Sequence, residues 1–298
     1  MRLNHLSAIA FPGLGIHIDP PRSLSIGPLD IYLYGLIIAC GLMLAVVYAC
    51  KRSRQFGLTV DDLTDGVLCI VPFAVLCARL YYCIFQWDSY KDNPIEILYI
   101  WEGGLAIYGG VIGAAIGILV FAKVKKVKAA AVLDITSLGF LIGQSLGRWG
   151  NFFNREAFGA ETDSFLRMGL YKAVSESGYI SASSTMHYFH PTFLYESLWN
   201  AAGFVLLHFL SKRRKYDGQV ALCYLAWYGL GRTFIEGLRT DSLYWGNLRV
   251  SQILAAITCF CGVALLMFCQ FRDHDPAALQ ANIYEAKLAA AEAAEESE

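Results

Sequence analysis

The sequence predicts an all-α integral membrane protein with seven transmembrane helices, and three observations lead to this fold class. Of the 298 residues, 56% are hydrophobic and 16% are charged, whereas about a quarter of the residues in a typical soluble domain are charged. The apolar residues form stretches of about 20, the length that an α-helix needs to cross a bilayer. Lysine and arginine are concentrated in alternate loops between those stretches, a pattern typical of multi-span membrane proteins.

The predicted spans begin after an N-terminal segment that does not resemble a cleaved signal peptide. Residues 1–28 contain Pro12, Pro20 and Pro21 and lack a continuous apolar core. The seven predicted spans are residues 29–50, 65–86, 104–123, 129–147, 191–211, 219–237 and 250–271.

The loop charges predict the orientation of the spans. Three loops carry clusters of cations, at residues 51–54, 123–128 and 212–215. The positive-inside rule places these loops in the cytoplasm, so the N-terminus lies outside and the C-terminus inside. The longest loop, at about 148–190, is then an external head. We expect a membrane domain over 1–271 and an acidic, Ala/Glu-rich cytoplasmic tail over 272–298, either helical or disordered.

The composition also excludes several classes of protein. A net charge of −1 argues against a nucleic-acid binder that depends on basic charge, so no nucleic-acid partner is expected. The apolar content excludes a disordered chain or a coiled coil and does not fit an ordinary water-soluble enzyme. The nine cysteines lie in or beside predicted spans, so no disulfide framework is expected. No His/Cys cluster has metal-ligand spacing, and we expect neither a metal nor another cofactor.

Polar residues occur at one end of six spans, the end that the orientation places outside. They are Tyr32, Tyr34, Arg79, Tyr108, Arg148, Asn151, Asn154, Glu156, His190, Tyr195, Glu196, Arg232, Glu236 and Arg239. Each charge costs about 2.5–3.5 kcal/mol at the centre of a membrane. We therefore expect a shared polar cavity open to the outer leaflet. The alternative is that the arginines snorkel or pair with the glutamates and only hold helices together.

Two motifs refine this interpretation. In the glycine run at 103–110 and beyond, Gly109, Gly113 and Gly117 share one helix face, which favours close helix packing. Gly103 and Gly104 precede that face and could expose backbone N–H groups to an anion.

The second motif, at 147–159, is a dense polar run at the end of a span. Arg148 offers a planar fork of donors that suits phosphate, and Asn151 and Asn154 add neutral donors and acceptors. Glu156 could accept a proton or orient an arginine.

With these motifs the chain resembles the phosphatidylglycerol–prolipoprotein diacylglyceryl transferase family of bacteria, over nearly all its length except the tail. The 147–159 run is close to diagnostic of that family. The matching stretches are Gly27-Pro28, Tyr34-Gly35, Arg79 within 78–82, the run 103–110, the run 147–159, His190-Pro191, Tyr195-Glu196, Tyr228-Gly229, Arg232, Glu236 and Arg239.

The resemblance implies a multi-pass enzyme of the bacterial plasma (inner) membrane with its active site toward the outer leaflet. It implies transfer of the diacylglyceryl group of phosphatidylglycerol to the lipobox cysteine in the signal peptide of a prolipoprotein, with release of glycerol 1-phosphate. By resemblance Arg148 binds the lipid phosphate. The residues implied for the same site are Asn151, Glu156, Gly159, Arg232 and Glu236.

The chain departs from the family at position 108, where many members have histidine. Histidine can act as a base at neutral pH, whereas tyrosine, with an ordinary pKa near 10, is a poor base. We therefore expect Tyr108 to contribute to catalysis by hydrogen-bonding or polarising the substrate. Tyr34, Gly104, Asn154 and Glu196 are further candidates for substrate binding.

The chemistry requires a thiolate, which belongs to the substrate, and stabilisation of a departing phosphate. Arg148 and Arg232 are the candidates to hold the phosphate and to lower the pKa of the incoming thiol. Glu156, Glu196 and Glu236 are candidate proton acceptors or arginine partners, and the sequence does not choose among them. The alternative functions are a transporter or lipid flippase, for which no convincing inverted repeat is found, and a structural membrane scaffold.

Overall fold

The computed structural model describes residues 8–27, 29–175, 180–240, 244–245 and 248–295. Pro28, part of the first family match, and parts of the predicted head and tail (176–179 and 296–298) lie outside the described residues. The chain divides into two compact units. The first comprises Met1–Ala45, Ser137–Arg213 and Leu222–Asp273, and the second comprises Val46–Thr136, Arg214–Ala221 and His274–Glu298.

The described chain is mostly helical. Its α-helices are α1 Leu33–Arg52, α2 Val60–Phe85, α3 Trp87–Tyr90, α4 Ile107–Lys125, α5 Ala129–Asn154, α6 Thr192–Ser211, α7 Gln219–Leu238, α8 Val250–Gln270 and α9 Gln280–Glu295. Among the described residues, six helices are long and apolar enough to cross a membrane: α1, α2, α4, α5, α6 and α8. The predicted sixth span, 219–237, forms α7 but is not among these six, so a count of seven spans stays a prediction.

Three predicted span limits are wrong. The second span was expected to begin at residue 65, but α2 begins at Val60. The first span was expected to begin at residue 29, but Leu29–Tyr32 is strand β4, which pairs with β3, Ser23–Ile26. Ser25 Oγ contacts Asp30 Oδ1 at 2.5 Å across this hairpin. The fourth span was expected to end at residue 147, but α5 continues to Asn154. The helix is prolonged because apolar residues such as Phe152 continue to be buried after the polar run begins.

The expectation of an all-α chain is also wrong, because the first unit contains a four-stranded sheet. Its strand order is β2-β1-β5-β6, and all neighbouring strands are antiparallel. The strands are β1 Ile9–Phe11, β2 Ile16–Ile18, β5 Met168–Val174 and β6 Ile180–Phe189. Two further short strands, β7 Tyr244–Trp245 and β8 Leu248–Arg249, pair with each other.

An apolar core joins this sheet to the end of α5 and the start of α6. Its buried members are Ile9, Phe11, Phe152, Phe158, Met168, Leu170, Phe189 and Phe193. Burying such large side chains stabilises the fold by roughly 1.5–3 kcal/mol each. Because Phe152 and Phe158 are both anchored in this core, it fixes the segment between them, which carries the polar residues of the 147–159 run.

In the second unit, α2 and α4 pack closely along the glycine face predicted from the sequence. A Cβ added at Gly109 or Gly113 would lie within 3 Å of atoms of α2. The helices approach because these positions carry no side chain. α2 begins with a capping box, in which Thr59 and Asp62 exchange side-chain and backbone hydrogen bonds at 2.9 and 3.0 Å.

Buried polar residues also organise the rest of the second unit. Asp134 is fully buried and accepts the backbone N–H groups of Gly218 and Ala221, each at 2.9 Å. It therefore caps the start of α7 from another helix. In the tail, buried Gln280 opens α9 and donates to the carbonyl of Gly57 at 3.3 Å.

Candidate active site

The first unit gathers two arginines and two glutamates from three helices into one ion-pair cluster. Glu196, on α6, contacts Arg148 of α5 with Oε1 (2.6 Å to Nη2) and Arg232 of α7 with Oε2 (3.0 Å to Nη1). Arg232 also contacts Glu236, one turn further along α7, at 2.5 Å. This last pair is the one that their spacing of four residues predicted.

The carboxylates of this cluster are more deeply buried than its arginines. The side chains of Glu196 and Glu236 are 4% and 2% exposed, whereas those of Arg148 and Arg232 are 22% and 16% exposed. Arg239 extends the cluster, with its Nε 4.0 Å from Glu236 Oε2. The two arginines are therefore the more accessible members of the cluster, and the buried carboxylates of Glu196 and Glu236 hold their guanidinium groups in place.

The other polar residues of the 147–159 run continue the network. Arg148 Nη1 donates to Asn151 Oδ1 at 3.2 Å, and Asn151 Nδ2 donates to Glu156 Oε1 at 3.0 Å. Asn154 Nδ2 reaches the same oxygen at 3.3 Å. Arg148, Asn151 and Asn154 lie on the last two turns of α5, and Glu156 follows in a turn. A continuous chain of contacts thus runs from exposed Glu156 to buried Glu236.

Tryptophan and serine contacts fix the three helices, and the sequence analysis missed them. Trp199 of α6 and Trp227 of α7 stack with their ring centroids 4.4 Å apart. Each indole N–H donates to the other residue's backbone carbonyl at 3.0 Å. Trp149 donates to Ser197 Oγ at 3.2 Å and so connects α5 to α6. Trp199 and Trp227 lie in predicted spans, but the presence of a tryptophan does not identify its partner.

Gly159 and Tyr34 occupy close-packed positions beside these helices. Gly159 N donates to the carbonyl of His190 at 2.9 Å, and a Cβ there would lie within 3 Å of His190 and Leu238. The ring of Tyr34 leaves no space for a Cβ at Gly150. Burial lowers the pKa of His190, which approaches the Tyr195 hydroxyl at 3.3 Å. Substrate binding by Gly159 and Tyr34 stays a prediction.

Arg79 has a structural environment in the second unit. It is 4% exposed and donates to the carbonyl oxygens of Glu96, Ile97, Gly103 and Gly104 at 2.6–3.1 Å. It therefore neither snorkels nor pairs with the predicted glutamates, but binds the loop that precedes α4. Gly103 and Gly104 use their carbonyl oxygens in this contact, and not the N–H groups that the sequence suggested could face an anion.

Tyr108 also belongs to the second unit, where it is the second residue of α4 and is exposed.

Within the part of the chain that the structure describes, no group of three His, Cys, Asp or Glu side chains could hold a metal ion. The ion-pair cluster of the first unit offers guanidinium donors, amides and carboxylates. Such a set binds a phosphate group and can accept a proton.

Comparison with known proteins agrees with this assignment of chemistry. Residues 21–268 match the family model described as prolipoprotein diacylglyceryl transferase. Proteins named phosphatidylglycerol–prolipoprotein diacylglyceryl transferase are similar over most of their length. The relative from Listeria innocua is 38% identical, covering 89% of this chain and 95% of that protein. The relative from Bacillus licheniformis is 42% identical, covering 87% and 96%. The chain therefore belongs to the prolipoprotein diacylglyceryl transferase family.

Proposed function

We propose that the arginine–carboxylate cluster performs the reaction of this family, the first step of bacterial lipoprotein maturation. The chain transfers the diacylglyceryl group of phosphatidylglycerol to the thiol of a prolipoprotein lipobox cysteine. The observation that carries this proposal is the position of Glu196, which contacts Arg148 and Arg232 at once. It holds two guanidinium groups from different helices side by side, as a phosphate clamp requires.

The reaction forms one bond and breaks one. The thiolate sulfur of the peptide attacks the diacylglyceryl carbon that carries the phosphate ester. The C–O bond between that carbon and the phosphate breaks, and its electron pair stays on the phosphate of the departing glycerol 1-phosphate. Arg148 and Arg232 bind that phosphate and stabilise the charge that develops on it. Their positive field also favours the thiolate over the thiol, because an opposite charge nearby lowers an acid's pKa.

The thiol proton must go to a base, and the geometry favours Glu156 among the three candidates. Both carboxylate oxygens of Glu196 contact arginines, and Glu236 is buried against Arg232. The side chain of Glu156 is exposed, and its two amide donors both contact Oε1. A peptide thiol can therefore reach Glu156 Oε2, whereas Glu196 and Glu236 position the arginines.

The remaining candidates are proposed to bind the substrate. Asn151 and Asn154 orient Glu156 and offer polar contacts to the glycerol headgroup, and Tyr34 and Gly159 shape the surroundings of α5. From the second unit we propose Tyr108 as a hydrogen-bond donor to the substrate and Gly104 as a further substrate contact. These roles follow the family resemblance, and the Tyr108 hydroxyl replaces the histidine of many members.

We also propose a plasma-membrane topology of seven spans, with the N-terminus and the active site toward the outer leaflet. α7 supports the seventh span, because 20 residues at 1.5 Å each give about 30 Å, the thickness of the hydrocarbon core. The cationic loops at 51–54, 123–128 and 212–215 support the orientation.

The test is glycerol phosphate release by the full chain in nanodiscs that contain phosphatidylglycerol. We expect release only when a lipobox peptide is present, with one thioether product per glycerol phosphate. Arg148→Gln and Arg232→Gln should each lower turnover about 10²–10³-fold, the usual effect of removing one donor from a developing anion. Exposed Arg272→Gln is the matched control. Lipid movement between leaflets without peptide-dependent release would favour the flippase alternative and overturn the proposal.

A further inference from the structure

A cationic cavity lies beside the sheet of the first unit, apart from the ion-pair cluster. Its volume is about 200 Å³, and its lining includes Arg22, Leu170, Tyr171, Lys172, Ser181 and the buried Arg155. A single water molecule takes up about 30 Å³ of liquid. The cavity therefore has room for a small solute and carries three cations from separate parts of the chain.

Among the described residues, the negative charge around these cations is smaller than the positive charge. Arg155, 4% exposed, contacts Asp19 at 3.2 Å and also donates to the carbonyls of Pro20 and Phe153. Lys172 Nζ donates to the carbonyl of Arg155. Within the described residues no salt bridge involves Arg22 or Lys172. Asp19 thus pairs with Arg155, one of the three cations. Glu156 attracts the Lys172 ammonium electrostatically without forming a salt bridge with it.

The cations also disfavour one another. Burial lowers the pKa of the Lys172 ammonium, and repulsion from Arg22 lowers it further. The same two causes, in the same order, lower the pKa of Arg155. Like charges that face a partly closed cavity without enough counter-charge are stabilised when an anion enters.

We propose that this cavity binds a phosphate-bearing anion, either a soluble phosphate ester or the headgroup of an anionic lipid. Two guanidinium groups and an ammonium match the several oxygens of a phosphate better than the two of a carboxylate. Tyr171 and Ser181, whose side chains carry hydroxyl groups, also line the cavity. Because Arg155 lies between Asn154 and Glu156, an occupant would hold the turn that carries Glu156. The binding site itself does not depend on the proposed reaction.

The first test measures binding rather than turnover. The full chain carrying Arg148→Gln and Arg232→Gln, which removes both proposed phosphate ligands of the ion-pair cluster, is titrated calorimetrically in phosphatidylcholine nanodiscs with inorganic phosphate and with glycerol 1-phosphate. Where these bind, we expect adding Arg22→Gln or Lys172→Met to weaken binding at least about tenfold, since each removes a charge-assisted hydrogen bond. Arg167→Gln, which removes a cation near the same sheet but outside the cavity, should change the affinity less than twofold.

The second test identifies the source of the anion by acylation of Lys172, followed by mass spectrometry with exposed Lys287 as the internal control. An occupant slows the labelling of Lys172 because it covers the amine and favours its protonated form. Protection by soluble phosphate or glycerol 1-phosphate in phosphatidylcholine nanodiscs indicates a soluble ester. Protection only in nanodiscs that contain phosphatidylglycerol indicates a lipid headgroup. No protection in either case, or binding that Arg22→Gln and Lys172→Met leave unchanged, overturns the proposal.

Discussion

Glu196 offers the sharpest test of the ion-pair cluster, because one substitution removes the charge shared by two arginines. Glu196→Gln preserves the shape of the side chain but leaves Arg148 and Arg232 beside a neutral amide. Breaking a buried ion pair by neutralising one partner costs about 3–5 kcal/mol. We expect the lower end, about 3 kcal/mol in the free energy of unfolding, because both arginine side chains keep some exposure and Arg232 retains Glu236.

The effect on activity separates a catalytic cluster from ion pairs that only hold helices together. A displacement of about 1 Å at a reacting group can lower turnover about 100-fold, and we expect at least that from Glu196→Gln. The double variant Arg148→Met/Glu196→Met removes both charges of the pair, so most of the stability should return. Its activity should stay low, because one of the two proposed phosphate ligands, Arg148, is gone.

The assay is peptide-dependent glycerol phosphate release in nanodiscs, with unfolding measured on the same preparations. Glu161→Gln makes the same chemical change at an exposed carboxylate, whose partner is His187, and should leave both quantities nearly unchanged. If the double variant recovers both stability and turnover to within about threefold of the parent, the cluster is structural and the proposed phosphate clamp is wrong.

Three further predictions concern stability. Arg79→Gln should lower the free energy of unfolding by about 3 kcal/mol in a denaturant titration, because buried carbonyls lose their donors. Gly113→Ala should lower it by about 1–3 kcal/mol, since its Cβ would meet Cys77, whereas Gly143→Ala, with nothing within 4 Å, should not. Burial lowers the pKa of His190, so the unfolded chain binds more protons from that lowered pKa up to about 6.5. Thermal stability should therefore fall as pH drops through this window, and His190→Gln should flatten the dependence.

Much of the helical fold could be predicted from the sequence because it depends on local patterns. Apolar length predicts α4, α6, α7 and α8 to within three residues at each end, and glycine spacing predicts the face that joins α2 to α4. The four-stranded sheet could not be predicted in this way. Ala10 pairs with Gly169 across almost 160 residues, and strands of three residues are too short to show a periodic pattern.

The contacts within the candidate site also include some that local spacing predicts and others that depend on tertiary packing. The contact of Arg232 with Glu236 follows from helical spacing, because residues four apart meet on one face. The contact of Glu196 with Arg148 and Arg232 joins three helices, and no spacing in the chain determines it. The reciprocal Trp199–Trp227 pair likewise depends on the rotation of two helices about their axes. Local rules and the family resemblance therefore selected the candidate residues, and packing determined which of them touch.

Among the helices that match predicted spans, α7 is the one that is not apolar enough to be counted as a membrane span. Its two charged residues, Arg232 and Glu236, contribute to this low hydropathy. Each of these charges costs about 2.5–3.5 kcal/mol at mid-membrane when it is alone. In the proposed topology the ion pairs with Glu196 and Glu236 reduce that cost, because they offset the charge of Arg232. The same contacts fix the guanidinium group before substrate arrives, so little reorganisation is needed when negative charge develops. In this proposal, the ion pairs that make α7 tolerable in a membrane are also the pairs that prepare Arg232 to bind phosphate.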